Sequence, residues 1–273
     1  MKRKIGWILT LIMVLSLSSL NNVKAETKGS SLLNLYDQNT MSVLWFQNSA
    51  EAKALYYQGY NLGRMRLDEL LRDRPKTTGL KPAIVLDIDE TILDNSPHQA
   101  WFVLHGKGVP FGWNEWFIRG EAKALPGAIE FLQYANARGV DIFYISNRNE
   151  TEKKATMKNL LNVGAPQVIS EHVLLQQPGE RGKETRRIQV AKTRDILLYF
   201  GDNLGDFSGF DGLTVSERSH EVNKRKDEFG RKLIVFPNPM YGDWEGAIYQ
   251  YDYRKTNEEK DRLRKKLLEI YIR

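Results

Sequence analysis

The feature that most constrains the fold of this chain is a pair of aspartates directly after a short apolar run. Residues 83–86 (Ala-Ile-Val-Leu) have the composition of a buried strand, and Asp87 and Asp89 follow it. Open α/β sheets bind ligands at the carboxyl ends of their strands. Together with Asp202 and Asp206, farther along the chain, this pair predicts a hard-cation site that handles phosphate.

Apolar runs alternate with helical patterns through the middle of the chain. We predict strands at residues 83–86, 140–145, 173–175, 196–200 and 232–236. We predict helices between them at residues 126–138, 151–161 and 183–192. This alternation is typical of an α/β fold with a doubly wound parallel sheet. Because parallel strands end at one edge, Asp87, Ser146 and Asp202 are predicted to meet there.

The first 25 residues resemble a targeting segment more than part of a fold. A basic start, an apolar stretch and small residues before position 26 predict a cleaved signal peptide at residues 1–25, with an uncleaved membrane anchor as the alternative. Four positive charges and no negative charge lie there, so cleavage lowers the net charge from +6 to +2. The remaining charge is poor support for a nucleic-acid partner. With no cysteine available for lipidation, we expect a secreted or cell-surface protein without stable membrane insertion.

Three further regions complete the predicted organisation. Residues 26–82 are predicted as an N-terminal helical segment that packs on the core, residues 83–253 as the core, and residues 254–273 as a C-terminal helix. A small, aromatic-rich helical cap is predicted as an insertion at about residues 95–125. The N-terminal segment is predicted to form helices, with a helical pattern from residue 35 to about 74. Its candidate apolar-face residues are Tyr36, Met41, Leu44, Trp45, Tyr56, Tyr57, Leu62, Met65, Leu67 and Leu71.

The paired aspartates suggest covalent phosphate chemistry. Asp87 is the candidate nucleophile, because a carboxylate that attacks phosphorus forms an aspartyl phosphate and divides one difficult displacement into two easier ones. Asp89, two residues on, is placed to protonate the leaving oxygen and then to deprotonate the attacking water. A divalent cation such as Mg²⁺ is expected, since a carboxylate approaches a phosphate dianion poorly without charge neutralisation.

Four other side chains complete the predicted site. Asp202 is the predicted ligand of the cation across the cleft, and Asp206 is a direct or water-mediated ligand. Ser146 is expected to hold a phosphate oxygen, and Lys183 to balance charge during transfer. Each of these carboxylates alone has an ordinary alternative as a helix cap or ion-pair partner, but the set as a whole favours catalysis.

These residues are similar to the four motifs of the haloacid dehalogenase-like superfamily, and the chain more narrowly resembles the class C non-specific acid phosphatases. The resemblance extends from about residue 43 to the C-terminus, and includes Asn147-Arg148 and the stretch from Tyr241 to Gly246. It implies that the metal is held by Asp87, by the main-chain carbonyl of Asp89 and by Asp202, and that Asn147 binds substrate. It also suggests a homodimer and an activity optimum below neutral pH.

The predicted cap is unusually rich in aromatic residues, and these have two interpretations. Most of them are expected to form a small apolar core. By resemblance, Trp113 and Tyr241 instead form a wall that stacks on the ring of the substrate. Such a wall suits nucleoside monophosphates, because every base has a flat face.

The sequence therefore predicts a secreted, Mg²⁺-dependent acid phosphatase of 5′-nucleotidase type that hydrolyses small phosphomonoesters. Two alternatives are a surface binding or adhesion protein that keeps the fold without turnover, and a phosphotransferase in which an alcohol intercepts the same intermediate. Intact Asp89 and Lys183 argue against the binding protein, because binding alone needs neither a general acid nor charge balance in the transition state.

Overall fold

The computed structural model describes residues 34–75 and 79–272, and the predicted signal peptide at residues 1–25 lies outside these ranges. The described chain begins with a 3₁₀ turn at Leu35–Asn39, followed by helices α1 (Thr40–Asn48) and α2 (Ala50–Asp73). The prediction of N-terminal helices is confirmed, and the helical pattern is divided between α1 and α2. The break falls at Ser49, whose extended backbone lets its side chain cap α2 by accepting a hydrogen bond from the Ala52 amide at 3.0 Å.

Only one face of α2 is buried, and the buried face is narrower than the predicted apolar face. The buried positions are Ala52, Tyr56, Tyr60, Gly63 and Leu67. Four of the ten predicted residues are instead exposed: Met41, Leu44, Tyr57 and Met65. Met65 lies two residues from both Gly63 and Leu67, and residues two apart on a helix do not share a face.

Seven strands lie in the described part of the chain: β1 (Lys81–Leu86), β2 (Leu93–Asp94), β3 (Lys123–Ala124), β4 (Asp141–Asn149), β5 (Val173–Gln176), β6 (Arg194–Gly201) and β7 (Leu233–Val235). Five of them form one parallel sheet in the order β5-β4-β1-β6-β7. The predicted doubly wound α/β fold is confirmed. The chain runs outward from β1 to β4 and β5 and then returns to β6 on the other side, so a ligand crevice is expected at the carboxyl end of β1.

Within residues 79–272, eight more helices follow α2: α3 (Ser96–His105), α4 (Trp113–Arg119), α5 (Ala128–Ala137), α6 (Lys153–Asn162), α7 (Glu184–Ala191), α8 (Val215–Lys224), α9 (Asp243–Ile248) and α10 (Asn257–Lys266). Helices α5, α6 and α7 correspond to the three predicted between strands. Helix α8 was not predicted, because it has few apolar residues and Arg218 is its one buried residue. Among the described helices, none has the length and apolar character needed to cross a membrane.

Helices α3 and α4 carry most of the aromatic residues predicted for the cap. The rings of His98 and Trp113 lie 4.3 Å apart, and those of Trp113 and Phe117 lie 5.1 Å apart. Strands β2 and β3, which flank these two helices in the chain, pair in an antiparallel manner. The aromatic side chains therefore pack on one another, as expected for a small apolar core, while Trp113 also reaches Tyr241, 128 positions along the chain.

Candidate active site

The carboxyl ends of three neighbouring strands bring together most of the predicted site. Asp87 follows β1, and its amide donates a hydrogen bond to the carbonyl of Phe200 in β6 at 3.0 Å. Ser146 lies in the second half of β4, and Asp202 directly follows β6. Because β4 and β6 are the two parallel neighbours of β1, the three side chains share one edge of the sheet.

Lys183 connects the aspartate after β1 with one of the aspartates after β6. Its ammonium group donates hydrogen bonds to Asp87 Oδ1 and, at 2.6 Å, to Asp206 Oδ1. Burial by itself lowers the pKa of Lys183, but the two carboxylates outweigh burial and raise it. Burial raises the pKa of Asp87 to about 7, although the charge of Lys183 opposes that rise. The lysine is thus fully charged and held against the candidate nucleophile.

Three carboxylates form a group that fits a divalent cation. Asp87, Asp202 and Asp206 each offer an oxygen, and these oxygens lie within 4.8 Å of one another. Burial, followed by the negative charges of Asp206 and Asp87, raises the pKa of Asp202 well above its ordinary value. Clustered carboxylates that repel one another are stabilised by a hard cation, which prefers oxygen ligands.

Local backbone geometry determines where Asp206 points. The amide of Asn203 donates to Asp206 Oδ2 at 2.9 Å, which leaves Oδ1 for Lys183. A Cβ atom at Gly201 would lie only 2.3 Å from Asp206 Oδ2. The glycine that ends β6 is therefore needed for the close approach of this carboxylate.

Asp202 is held from two other elements. Thr91 Oγ1 donates to Asp202 Oδ1 at 3.3 Å, and Asn238 Nδ2 donates to Oδ2 at 2.8 Å. Asn238 lies in the loop after β7, in the Pro-Asn-Pro segment at residues 237–239. Both donors fix the orientation of the carboxylate toward the cleft.

Asp89 lies on the opposite side of the cleft and does not belong to the acidic group. Its carboxylate accepts hydrogen bonds from Arg148 at 2.6 to 3.1 Å, from Asn95 Nδ2 at 2.7 Å and from Ser146 Oγ at 3.2 Å. Burial alone raises the pKa of Asp89, but Arg148 and these hydrogen bonds outweigh it and lower the pKa. The two aspartates two residues apart therefore occupy different electrostatic environments.

Ser146 and Asn147 are adjacent in the second half of β4. Ser146 is buried, and its Oγ accepts a hydrogen bond from the Arg148 amide at 3.1 Å. Asn147 is exposed, and its Oδ1 accepts a hydrogen bond from Arg186 Nη2 at 2.8 Å. The Ser146 hydroxyl and the exposed Asn147 amide are hydrogen-bond donors near the carboxyl end of this strand.

The two predicted wall residues meet at the cap. The ring centroids of Trp113 and Tyr241 are 6.0 Å apart, and their planes are inclined at 69°. The Tyr241 hydroxyl donates a hydrogen bond to the buried carboxylate of Glu90, one residue after Asp89. The rings therefore border the active site, but they are not parallel as a preformed sandwich requires.

Sequence reasoning did not predict five of the side chains that support this site. They are Glu90, Asn95, Trp116, Arg148 and Asn238. Arg148 gave a usable indication. It follows Ser146 by two residues, and side chains two residues apart on a strand point to the same face of the sheet. Asn95 and Trp116 gave none, because their partners are set by the packing of the cap.

The parallel sheet has an aspartate directly after β1, a second aspartate two residues on, a lysine at the start of α7 and an acidic pair after β6. This arrangement is that of a phosphatase of the haloacid dehalogenase type. The sequence profile described as "HAD superfamily, subfamily IIIB (Acid phosphatase)" matches residues 7–244. The chain belongs to this family of acid phosphatases, and it is a phosphomonoester hydrolase.

Solved structures and curated relatives agree with this family. The class C acid phosphatase from Bacillus anthracis with tungstate bound is 55% identical, covers 88% of this chain and 100% of that chain, and superimposes with a TM-score of 0.85. Acid phosphatase 1 of Solanum lycopersicum is 25% identical over 166 residues, 58% of this chain and 57% of that protein. The class B acid phosphatase of Xenorhabdus bovienii is 25% identical over 196 residues, 62% of this chain and 76% of that protein. The resemblance to class C acid phosphatases that the motifs indicate is confirmed.

Proposed function

We propose that this protein is a secreted, Mg²⁺-dependent acid phosphatase that hydrolyses ring-bearing phosphomonoesters, such as nucleoside 5′-monophosphates, through an aspartyl phosphate. One observation carries the proposal. Lys183 holds Asp87 and Asp206 at the sheet edge where Asp89 and Ser146 also lie. A mere anion-binding site needs no buried carboxylate facing the anion, whereas a nucleophile does.

In the first step, Asp87 attacks the phosphorus atom and the bond from phosphorus to the leaving oxygen breaks. Asp89 supplies a proton to that oxygen, so that the product leaves as an alcohol. Lys183, Ser146 and Asn147 donate hydrogen bonds to the phosphoryl oxygens or balance their charge as it shifts. An aspartyl phosphate remains on Asp87.

In the second step, Asp89 as a carboxylate takes a proton from water. The water oxygen attacks phosphorus, the bond between phosphorus and the Asp87 oxygen breaks, and inorganic phosphate is released. Asp89 is then protonated for the next cycle, and the Asp87 carboxylate is regenerated.

We assign Asp87, Asp202 and Asp206 to Mg²⁺, together with the main-chain carbonyl of Asp89. The bound cation supplies charge neutralisation between the nucleophilic carboxylate and the phosphate dianion. The observation in favour is the mutual approach of the three carboxylates within 4.8 Å. Octahedral oxygen coordination with remaining water ligands suits Mg²⁺.

The substrate class follows from the wall that Trp113 and Tyr241 form beside the site. An aromatic leaving group or a nucleobase that stacks there is held while its phosphate reaches Asp87. The Bacillus anthracis relative binds tungstate, an oxyanion of phosphate-like shape, which supports an anion site in the same fold.

Phosphate release by residues 26–273 at mildly acidic pH tests the proposal. The substrates are nucleoside monophosphates, p-nitrophenyl phosphate and sugar phosphates, each assayed with Mg²⁺ and with EDTA. We expect Asp87→Asn and EDTA to abolish turnover. Asp227→Asn is the matched control and should retain turnover. Asp227 is an exposed aspartate that precedes β7, so it lies on the side of the strand's amino end, away from the carboxyl ends that form the site. Turnover by Asp87→Asn at the wild-type rate would contradict the proposal.

Export and assembly are separate parts of the proposal. Export is inferred from residues 1–25, and N-terminal sequencing of the secreted protein is expected to start at residue 26. A homodimer is inferred from the resemblance to class C enzymes, and light scattering of the purified protein measures it. A secreted form that retains its N-terminus, or a monomeric mass, would contradict these two parts without affecting the chemistry.

A further inference from the structure

A buried asparagine determines the environment of Asp89. Asn95 is fully buried at the start of α3. Its Nδ2 donates to Asp89 Oδ1 at 2.7 Å, and its Oδ1 accepts from Trp116 Nε1 at 2.7 Å. An indole N–H only donates and a carboxylate accepts, so only one orientation of the Asn95 amide satisfies both partners.

We propose that Asn95 and Trp116 are positioning residues that orient Asp89 so that its Oδ2, and not its Oδ1, delivers the proton to the leaving oxygen. The inference rests on the proposed function, because it takes Asp89 as the general acid. Neither residue needs to touch the substrate for this role.

The two oxygens of Asp89 have different surroundings. Oδ1 accepts short hydrogen bonds from Asn95 Nδ2 at 2.7 Å and from Arg148 Nη2 at 2.6 Å. Oδ2 has longer contacts, 3.1 Å to Arg148 Nε and 3.2 Å to Ser146 Oγ. Arg148 Nε also donates to Oδ1 at 3.1 Å, so Oδ1 accepts three hydrogen bonds and Oδ2 accepts two. A proton on Oδ1 would face more and closer donors than a proton on Oδ2.

Asn95 is itself fixed by a strained neighbour. The backbone N–H of Asn95 donates to Glu90 Oε1 at 2.7 Å, and its side-chain Nδ2 lies 3.3 Å from Glu90 Oε2. Glu90 has a backbone φ of 53°, which is unfavourable for a residue with a Cβ atom. Such a conformation persists only where the surrounding contacts determine it strongly, as they often do at active sites.

Helix α4 joins this arrangement to the proposed substrate wall. Trp113, Trp116 and Phe117 lie on it three and four residues apart, and so project from one face. Trp113 meets Tyr241, Trp116 meets Asn95, and the Phe117 ring lies 3.9 Å from the Arg148 guanidinium carbon. One short helix thus contacts the wall and both principal partners of Asp89.

A pair of substrates separates positioning of the acid from general damage. Benzyl phosphate and p-nitrophenyl phosphate both carry a ring for the wall, but benzyl alcohol is a far weaker acid than p-nitrophenol. Only the benzyl ester therefore depends strongly on protonation of its leaving oxygen. We compare kcat/KM, because it covers only the steps up to release of the leaving alcohol and not the later hydrolysis of the aspartyl phosphate, in which Asp89 acts as the base. We expect Trp116→Phe and Asn95→Ala to lower kcat/KM for benzyl phosphate by up to roughly a hundredfold, since misplacement of a reacting group by about 1 Å has effects of that order. We expect kcat/KM for p-nitrophenyl phosphate to change much less.

Trp101→Phe is the matched control, because Trp101 also lies in the cap and stacks on His105 with ring centroids 4.3 Å apart. It should leave both rates unchanged. Asn95→Ala removes a donor from the buried Glu90 carboxylate and from the partly exposed Asp89 carboxylate, and so risks unfolding. Trp116→Phe, which removes one N–H and keeps a ring, therefore decides the question. Equal losses on both substrates, or no loss on benzyl phosphate, would overturn the inference.

Asp89→Asn distinguishes failure of the inference from failure of the proposed function. If Asp89→Asn slows benzyl phosphate selectively and Trp116→Phe does not, only the positioning role of Asn95 and Trp116 is wrong. If Asp89→Asn lowers kcat/KM equally for both substrates, the general-acid role is wrong, and the inference fails with it.

Discussion

Replacement of Arg148 by methionine tests how the fold holds Asp89 in place. The Arg148 side chain is 1% exposed and that of Asp89 is 18% exposed. The guanidinium group contacts both carboxylate oxygens, and Phe117 covers its face. Methionine retains much of the apolar packing but removes the charge and every hydrogen bond.

The magnitude follows from the burial of the pair. Removal of one partner of a buried ion pair lowers the free energy of unfolding by about 3–5 kcal/mol, because the other charge is left buried without a counter-ion. Asp89 retains Asn95 and Ser146 as donors and is partly exposed, so we expect the lower end, about 3 kcal/mol. Asp89→Asn added to Arg148→Met removes the uncompensated charge and should restore about 2 kcal/mol.

Urea unfolding of the wild type, both single variants and the double variant measures this coupling. EDTA is present throughout, so that metal binding does not contribute to stability. We expect an interaction free energy of about 2 kcal/mol or more; additivity within about 0.5 kcal/mol would refute the reasoning. Arg254→Met is the control: Arg254 pairs with Asp252 at the surface and is 91% exposed, so no measurable change is expected.

Three further predictions concern the substrate, the pH and the metal. Trp113→Ala should raise KM for nucleoside 5′-monophosphates by roughly 5- to 150-fold, the equivalent of about 1–3 kcal/mol of lost stacking, without raising KM for glycerol phosphate; an equal rise for both would contradict the wall. Burial lowers the pKa of His98, so the unfolded state binds the proton more readily. Stability is therefore complete above the ordinary histidine pKa of about 6.5 and falls as the pH drops through it. His98→Phe should reduce the loss of stability between pH 7 and pH 5, and an unchanged loss would contradict this origin. Mg²⁺ at about 100 times its Kd should stabilise the wild type by about 2.7 kcal/mol in thermal or urea unfolding, and Asp202→Asn should weaken that effect; equal stabilisation of both proteins would contradict the assignment of Asp202.

The fold and the edge that holds the site were predictable because they depend on local patterns. The apolar run before Asp87 and the run before Asp202 each identify a strand, and parallel strands bring their ends together without further information. The break at Ser49 was less accessible, because a serine cap within a long helical pattern competes only weakly with the apolar periodicity around it. Helix α8 was missed since it buries little apolar surface.

The support around the site could not be predicted from such patterns. Asn95, Trp116 and Arg148 reach Asp89, directly or through one another, from three separate elements. Only Arg148 had an indication in the sequence, its two-residue spacing from Ser146. The contacts of Asn95 and Trp116 depend on how the cap packs on the sheet, and no spacing in the sequence encodes that packing. Four residues predicted on the apolar face of the N-terminal helices are exposed, for a related reason. An amphipathic pattern identifies the apolar side of a helix but not how much of that side other elements cover.

The most direct test of the account is detection of the phosphorylated enzyme. The protein is mixed with p-nitrophenyl phosphate and Mg²⁺, quenched in acid during turnover and treated with borohydride, which reduces an acyl phosphate but not a free carboxylate. Peptide mass spectrometry then locates the modified residue. We predict modification at Asp87 alone, increased in Asp89→Asn because the second step is slowed, and absent in Asp87→Asn. Full turnover without any modified aspartate, or with modification at a different one, would contradict the central claim that Asp87 is the nucleophile.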